Sequence, residues 1–280
     1  MLKIFKKLTQ PILLPHWAQD LAIALPRIVY GYFLTANFGA SKFGMPWSPA
    51  DKNLGLFEVA FWFPTDVAAY GGVFVQASVF LAWIAAFSEA VGGLAWIFGF
   101  QTRLFSFLIF CTMLVVVFVH QIQYGLWNML PGMGILWVAL LGMVMGSGRF
   151  GLDYLISKKL KITMKNLSII IVSILLLNSC VQKSYEQIVE ITVDVSGLGQ
   201  IKSVGIRGEE KPLSWDNDYP MKEIVKDSLY SVSIFGKTGY LQTEVKFVVN
   251  GEFELKDKPN RKIVFDPLRK TIFKAKFNQL

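Results

Sequence analysis

The chain reads EAVGGLAWIFGFQTRLFSFLIFCTMLVVVFVH from Glu89 to His120, and this apolar stretch decides the fold of its first half. The low charge continues on both sides, because between Val67 and Gly148 only Glu89 and Arg103 carry a formal charge. A charged side chain inside the hydrocarbon of a membrane costs several kcal/mol. The stretch therefore predicts an integral membrane domain rather than a soluble core.

Four membrane-spanning helices fit this half, since a helix needs about 20 residues to cross a bilayer. Their predicted bounds are Asp20–Ala40, Val73–Phe100, Arg103–Gln121 and Trp127–Gly146. Basic residues concentrate on one side, which the positive-inside rule assigns to the cytoplasm together with the N-terminal residues 1–19. The connection 41–72 is then exported, and Leu54–Phe63 within it is predicted to be a short interfacial helix.

Charge and cysteine use limit the function classes. Residues 1–180 contain 12 Lys and Arg against 6 Asp and Glu, and residues 181–280 contain 16 against 14. Neither half shows the basic patch of a nucleic-acid-binding domain, so we expect no nucleic-acid partner. Two histidines and two cysteines without a CxxC motif predict no metal site and no haem.

The junction at residues 159–181 is hydrophobic and ends in a cysteine. Its apolar core is 11 residues long, Leu167–Leu177, which is the length of a signal-peptide core, and the ending Leu177–Cys180 resembles a bacterial lipobox. In such signals the chain is cut before the cysteine, whose thiol is diacylated. Two interpretations stay open: lipidation at Cys180, or an uncut fifth helix. Both place the residues after Cys180 outside the cytoplasm.

Three polar side chains stand out in the membrane half. Arg27 and Glu89 both fall in the cytoplasmic half of their predicted helices, so that Arg27 is predicted to reach toward Glu89. This pair is either linked to protons or substrate, or purely structural. His120 ends the third helix at the exported face, where it is either a group that bonds a quinone carbonyl or a plain rim residue.

The second half, residues 182–280, alternates polar and apolar residues as β-strands do. Asn250-Gly251 between apolar runs predicts a tight hairpin turn. The predicted fold is thus a membrane all-α four-helix bundle with a fifth hydrophobic segment, followed by an exported all-β immunoglobulin-like sandwich. The predicted strands are Val189–Ser196, Ile201–Arg207, Leu229–Phe235, Thr243–Val249, Lys262–Phe265 and Thr271–Phe277.

Residues 20–158 resemble the DoxX family of four-helix membrane proteins. The resemblance is carried by RIVYGYFLTANFGASKFG (Arg27–Gly44), EAVGGLAWIFGFQTRL (Glu89–Leu104) and GSGRFGLDYL (Gly146–Leu155). Some members of that family are linked to thiosulfate or quinol oxidation, or to redox-stress complexes. The resemblance implies an inner-membrane accessory subunit associated with a quinone. The sequence has no haem-ligand pair, dithiol or dinucleotide-binding motif, so we expect no cofactor bound by this chain alone and a partner subunit that supplies the redox centre.

The exported half resembles starch-binding-type carbohydrate modules at Val204–Met221 and Glu244–Arg261. The sugar-gripping positions of those modules are matched by Trp215, Lys246 and Asn260, whereas Phe253 stands where they have a second Trp. The resemblance implies a glycan ligand, and the alternative is a module that binds an exported protein.

Two functions therefore stay open for the whole chain. The first is an accessory subunit of a quinone-linked or redox-stress complex, with Arg27, Glu89 and His120 as its polar site candidates. The second is a membrane-anchored glycan- or protein-binding module whose helices are only an anchor or assembly platform. A transporter is a weaker third reading, since four helices are few for alternating access unless the protein forms a homo-oligomer.

Overall fold

The computed structural model describes residues 10–159 and 180–279. It divides into two compact units. The helical unit runs to Pro49 and resumes over Leu54–Gln182, and the sheet unit consists of Ala50–Asn53 together with the residues from Lys183 onward. The hydrophobic segment before Cys180, on which the lipobox and fifth-helix predictions depend, lies outside the described residues.

Within residues 10–159 and 180–279, four helices are long and apolar enough to cross a membrane, over Trp17–Gly39, Ser78–Phe98, Thr102–Tyr124 and Leu126–Met145. This confirms four apolar helices of spanning length, but the second begins at Ser78 rather than at the predicted Val73, because Val73–Gln76 form a separate short helix. The α-helices are α1 (Trp17–Tyr32), α2 (Phe63–Ala68), α3 (Val73–Gln76), α4 (Ser78–Phe98), α5 (Thr102–Val115), α6 (Leu126–Met145) and α7 (Leu152–Lys159). The first and third spans end in tighter or wider turns, Phe33–Gly39 and Val116–Tyr124.

The predicted interfacial helix at Leu54–Phe63 was wrong. Phe57 has a φ of +64°, which an α-helix does not accommodate. Its backbone N–H donates instead to the carbonyl of Gly44, and Gly44 N–H donates to the carbonyl of Glu58. These residues therefore form an extended turn, and helix α2 begins only at Phe63.

Close contact between backbones holds the first two spans together. A Cβ atom added to Gly93 would lie 2.7 Å from the carbonyl oxygen of Gly31, and one added to Gly39 would lie 2.5 Å from Cα of Ala90. Small residues at such points let helices approach in a membrane. The hydroxyl of Thr35 uses this proximity to donate to the carbonyl of Ala90 at 2.7 Å.

The sheet unit contains two β-sheets. One has the strand order β4-β5-β1-β9, with β1 and β9 parallel, and in the other β3, β2 and β6 follow each other while β7 and β8 share the far edge of β6. The strands are β1 (Tyr185–Asp194), β2 (Val204–Gly208), β3 (Tyr219–Pro220), β4 (Lys222–Val225), β5 (Leu229–Thr238), β6 (Gln242–Val249), β7 (Glu252–Phe253), β8 (Arg261–Val264) and β9 (Lys270–Lys276).

Alternating burial builds the core of this unit. Val189, Ile191 and Val193 of β1 are buried, as are Ile206 of β2 and Phe247 of β6. This confirms the sheet-rich second half. The predicted hairpin turn is present as well, because Asn250 and Gly251 both have positive φ, at 52° and 83°, between the paired strands β6 and β7.

Candidate functional site

A buried ion pair lies inside the helical unit. The Nζ atom of Lys42 is 2.7 Å from Oε2 of Glu89, whose side chain is only 3% exposed. Glu89 comes from the middle of α4, and Lys42 follows the wide turn that ends the first span. The rings of Phe63 and Phe38 lie 5.3 Å and 6.0 Å from the Lys42 ammonium, which stabilises its charge.

The predicted approach of Arg27 to Glu89 was wrong. Arg27 is buried, at 2% exposure, but its guanidinium donates to the backbone carbonyls of Ser147 and Phe150 at 3.1 Å and 2.6 Å. Arg27 therefore holds the loop that follows the fourth span. Glu89 takes its positive partner from the connection 41–72 instead, so the polar site of the helices lies nearer that end.

The three stretches that carry the DoxX resemblance contact one another. Arg27 of the first binds the loop of the third, and Lys42 of the first binds Glu89 of the second. Asp153 of the third accepts the N–H groups of Gln101 and Thr102 of the second at 2.8 Å and 2.9 Å. Burial raises the pKa of Asp153 despite these bonds. Hydrogen bonds and one ion pair thus connect the three stretches inside the helical unit.

Three aromatic residues close in sequence to the ion pair form a cluster. Phe43, next to Lys42, packs against Trp83 and Phe87 of α4 with ring centroids 5.7 Å and 6.1 Å away, and Trp83 stacks on Phe87 at 5.0 Å. A groove of about 310 Å³ runs from this aromatic cluster along α4. It is lined by Phe57, Phe87, Val91, Leu94, Ala95, Phe98, Phe100, Phe105 and Leu152. The groove is apolar throughout and suits a hydrocarbon chain.

His120 lies in a second cluster. Its Nδ1 atom is 2.9 Å from the hydroxyl of Tyr70, and its ring is 5.7 Å from that of Tyr124. His120 is exposed in this structure. The geometry fits the interpretation as a rim residue held by tyrosines, and it leaves the imidazole accessible to a polar group at the surface.

Cys180 is exposed and lies against the connection 41–72 of the helical unit. Its carbonyl accepts the N–H of Val59 at 3.0 Å, and its Sγ atom is 3.8 Å from Oε1 of Glu58. Val181 continues this contact as a parallel bridge to Val59, and Gln182 N–H donates to the carbonyl of Val59 at 2.8 Å. The thiol is thus accessible at the end of the helical unit where residues 41–72 lie.

One guanidinium in the sheet unit contacts both predicted sugar-stacking residues, Trp215 through its backbone carbonyl and Phe253 through its ring. Arg207 of β2 donates to the carbonyl of Trp215 at 2.8 Å and lies 4.9 Å from the ring of Phe253. Asp218 fixes Arg207 by an ion pair of 2.5 Å. Sequence reasoning missed Arg207, although its place opposite Lys246 in the β2–β6 pairing puts it on the same sheet face.

The other two predicted positions are tied to backbone and carboxylate groups. Lys246 donates to the carbonyl of Leu255 at 3.2 Å, and Asn260 donates to Oε2 of Glu244 at 2.9 Å. Glu244 and Lys246 alternate along β6 and so share a face. Trp215, Lys246, Phe253 and Asn260 therefore border one surface, on which the Lys and Asn donors are already engaged.

These features are those of a multi-pass membrane protein with an added sheet unit. Residues 22–121 match the model of the DoxX family. The match includes Arg27, Lys42, Glu89 and His120, and it confirms the resemblance over this segment. No family match covers the sheet unit or the lipobox-like segment, and no curated protein matches the chain.

Proposed function

We propose that this chain is an accessory subunit of a quinone-linked or redox-stress complex in the inner membrane of a bacterium. The observation that carries the proposal is the Lys42–Glu89 pair, which sets a proton donor beside a proton acceptor within apolar helices. Quinol oxidation releases protons with the electrons, so its site needs groups that hold them. Glu89 accepts one of the two quinol protons, Lys42 donates a hydrogen bond to the quinone carbonyl that forms, and a partner subunit takes the second proton and both electrons.

The apolar groove supports a quinone as the ligand. Phe87, two residues before Glu89 in α4, lies in the wall of the groove and packs against Phe43, which follows Lys42 in the sequence. A quinone has a polar ring and a long isoprenoid tail, and sites for such ligands are mostly apolar with a few polar groups that fix orientation. The ring lies at the ion pair and the tail follows α4 in this proposal.

The contacts at the two ends of the helical unit support an exported position for the residues after Cys180. Cys180 bonds to Val59 in the connection that precedes α4, whereas Asp153, just before Lys159, bonds to the turn that follows α4. Asp153 and Cys180 therefore lie at opposite ends of the helical unit. With a cytoplasmic N-terminus, this makes the domain from residue 182 on, an immunoglobulin-like sandwich in our proposal, extracytoplasmic.

A photoreactive quinone tests the main proposal on the full chain in lipid nanodiscs. We expect labelling near α4, reduced at least about fivefold by Glu89→Gln and by Lys42→Met. Glu58→Gln, a carboxylate of the same unit that contacts the backbone of Gly55, is the matched control and should label normally. Growth under oxidative or sulfur stress and recovery of partner subunits should change with the same variants. Equal labelling of all variants would exclude this site.

A second function is favoured by the Arg207 arrangement, namely a membrane-anchored module that binds a glycan or an exported protein. Trp215 and Phe253 are both more than a third exposed. Arg207 donates a hydrogen bond to the backbone carbonyl of Trp215 and lies over the ring of Phe253. Exposed rings on one sheet face suit the apolar face of a sugar. Phe253 offers less stacking area than a Trp, which predicts weak affinity.

Calorimetric titration of the full chain with maltoheptaose tests this function. Trp215→Ala should abolish the binding heat and Phe253→Trp should tighten binding, because it restores the larger ring. Trp127→Ala removes a Trp that is 84% exposed in the helical unit and is the control. Absence of binding heat in the Phe253→Trp variant would rule out the glycan and leave a protein ligand.

Lipidation of Cys180 is part of the proposal, and its exposed thiol supports it. A C-terminally tagged chain in membrane fractions distinguishes the two states of the junction. Processing predicts a lipidated fragment of residues 180–280 that Cys180→Ser abolishes and Cys111→Ser leaves intact. A band only at 31.6 kDa would mean an uncut chain.

A further inference from the structure

The sheet unit contains a cavity of about 40 Å³ between its two sheets. Strands β1 and β5 form one wall, and β6 with the segments after β2 and β8 forms the other. The lack of a side chain at Gly236 leaves space in the wall. The apolar part of the lining is Val189, Ile191, Leu213, Ile234, Val245 and Phe265.

Three residues of the cavity lining each have a buried side-chain oxygen without a hydrogen-bond partner among the described residues. These oxygens are Oε1 of Gln187, Oε1 of Glu210 and Oγ1 of Thr243. Gln187 and Thr243 are only 2% and 7% exposed, and the amide nitrogen of Gln187 is already used by Thr271 at 2.7 Å. Buried polar atoms are nearly always paired in folded proteins. The three oxygens therefore indicate an absent donor.

We propose that this cavity binds the ammonium group of a primary alkylamine. An –NH₃⁺ group has three donors and no acceptor, which matches three unpaired oxygen atoms. The Glu210 carboxylate provides the opposite charge, and the aliphatic lining suits the first carbons of an alkyl chain. A cavity of this size excludes a sugar ring, so the site is separate from the surface of Trp215 and Phe253 and goes beyond the function proposed above.

The charges around Glu210 are compatible with a cation. Its neighbour Glu209 is engaged with Lys52, which belongs to the same unit, at 2.6 Å. Lys211 and Lys237 also line the cavity, so the ionised Glu210 is needed to make the site attractive to an ammonium group. Burial raises the pKa of Glu210 to about 7. A bound ammonium group favours the carboxylate, and binding near neutral pH should release a proton.

Calorimetric titration of the full chain in nanodiscs with n-butylammonium chloride tests the site at pH 8. We expect it to bind at least about tenfold more tightly than 1-butanol, which lacks the charge, and than butyltrimethylammonium, which lacks the N–H donors. Glu210→Gln and Thr243→Val should each weaken binding by about tenfold, and Glu209→Gln should not. Titration at pH 7 in buffers of different ionisation enthalpy should reveal the released proton.

Each ligand has a binding result that would overturn the alkylammonium site. Equal binding of 1-butanol would make the cavity merely apolar, and competition by sodium at equal concentration would make it an alkali-metal site. No butylammonium binding at tens of millimolar would mean that the oxygens are only hydrated. Because Thr243→Val preserves side-chain shape, unaltered binding in this variant would also refute the site even if Glu210→Gln failed to fold.

Discussion

The ammonium of Lys42 contacts the carboxylate of Glu89 at 2.7 Å, across 47 residues of sequence. Lys42 is less buried than Glu89, with side-chain exposures of 20% and 3%, so the carboxylate depends on the lysine far more than the lysine depends on it. Removing one partner of a buried pair leaves an uncompensated charge, whereas replacing both removes the problem. This asymmetry yields the first prediction.

Lys42→Met should destabilise the helical unit by about 3 kcal/mol, because the Glu89 charge is left without its partner. Adding Glu89→Gln should restore much of that loss, so the two changes are not additive. The measurement is thermal unfolding in detergent, followed by the intrinsic fluorescence of the buried Trp83 and Trp96. Additive losses in the double variant would show that the two side chains do not interact energetically.

The spans were predictable because the exclusion of charge over about 20 residues is a strong signal of lipid exposure. The partner of Glu89, in contrast, was not predictable from the sequence. Lys42 lies in a connection whose path depends on backbone bonds between Gly44, Phe57 and Glu58, and these follow no periodicity in the sequence. Arg27 was misassigned for a related reason, since its acceptors are backbone carbonyls that every residue has.

In the sheet unit, the strands were predictable from the alternation of polar and apolar residues. Which candidate ligand residues share a face depends instead on the register in which the strands pair. Arg207 meets Lys246 only because β2 pairs with β6 in one antiparallel register. A shift by one residue would turn every side chain to the other face. Trp215 and Phe253 were therefore identified from the sequence pattern, whereas the Arg207 guanidinium that contacts both residues was identified only from the structure.

Gly93→Ala should destabilise the helical unit by about 1–3 kcal/mol, because the new methyl group would meet the backbone oxygen of Gly31. That oxygen would be only 2.7 Å away, and a backbone atom cannot rotate aside. Gly92→Ala is the neighbouring control, since its methyl group would meet only side-chain atoms of Phe105 and Ile109 at 3.3 Å. Equal thermal stability of the two variants would contradict this account of helix packing.

Asp153→Ala should loosen the start of α5, because two backbone N–H groups lose their acceptor. The expected cost is about 1–2 kcal/mol, as for the loss of a helix cap. Asp153→Asn keeps one acceptor oxygen and should cost less. Hydrogen exchange measured by mass spectrometry on peptides that cover Gln101 and Thr102 provides the test, and protection that survives in Asp153→Ala would contradict it.

Glu210 should make the sheet unit less stable as the pH rises toward 8. Its pKa in the folded chain is about 7, against an ordinary value of 4.5, because burial penalises the charge. The folded state then binds the proton more tightly than the unfolded state. Glu210 therefore contributes its full stabilisation below its ordinary pKa of 4.5, and this stabilisation is lost as the pH rises through the folded-state pKa of about 7. A shift of this size corresponds to about 3 kcal/mol.

Pulse proteolysis in urea, read from fragments of the sheet unit between pH 5 and pH 8, measures this effect on the full chain. The urea midpoint should fall with pH in the natural chain and in the control Glu209→Gln, whose carboxylate is paired with Lys52. Glu210→Gln cannot titrate and should lack this part of the fall. A slope that persists in Glu210→Gln would assign the pH dependence to another group, because the amide keeps the size of the side chain and removes only its proton equilibrium.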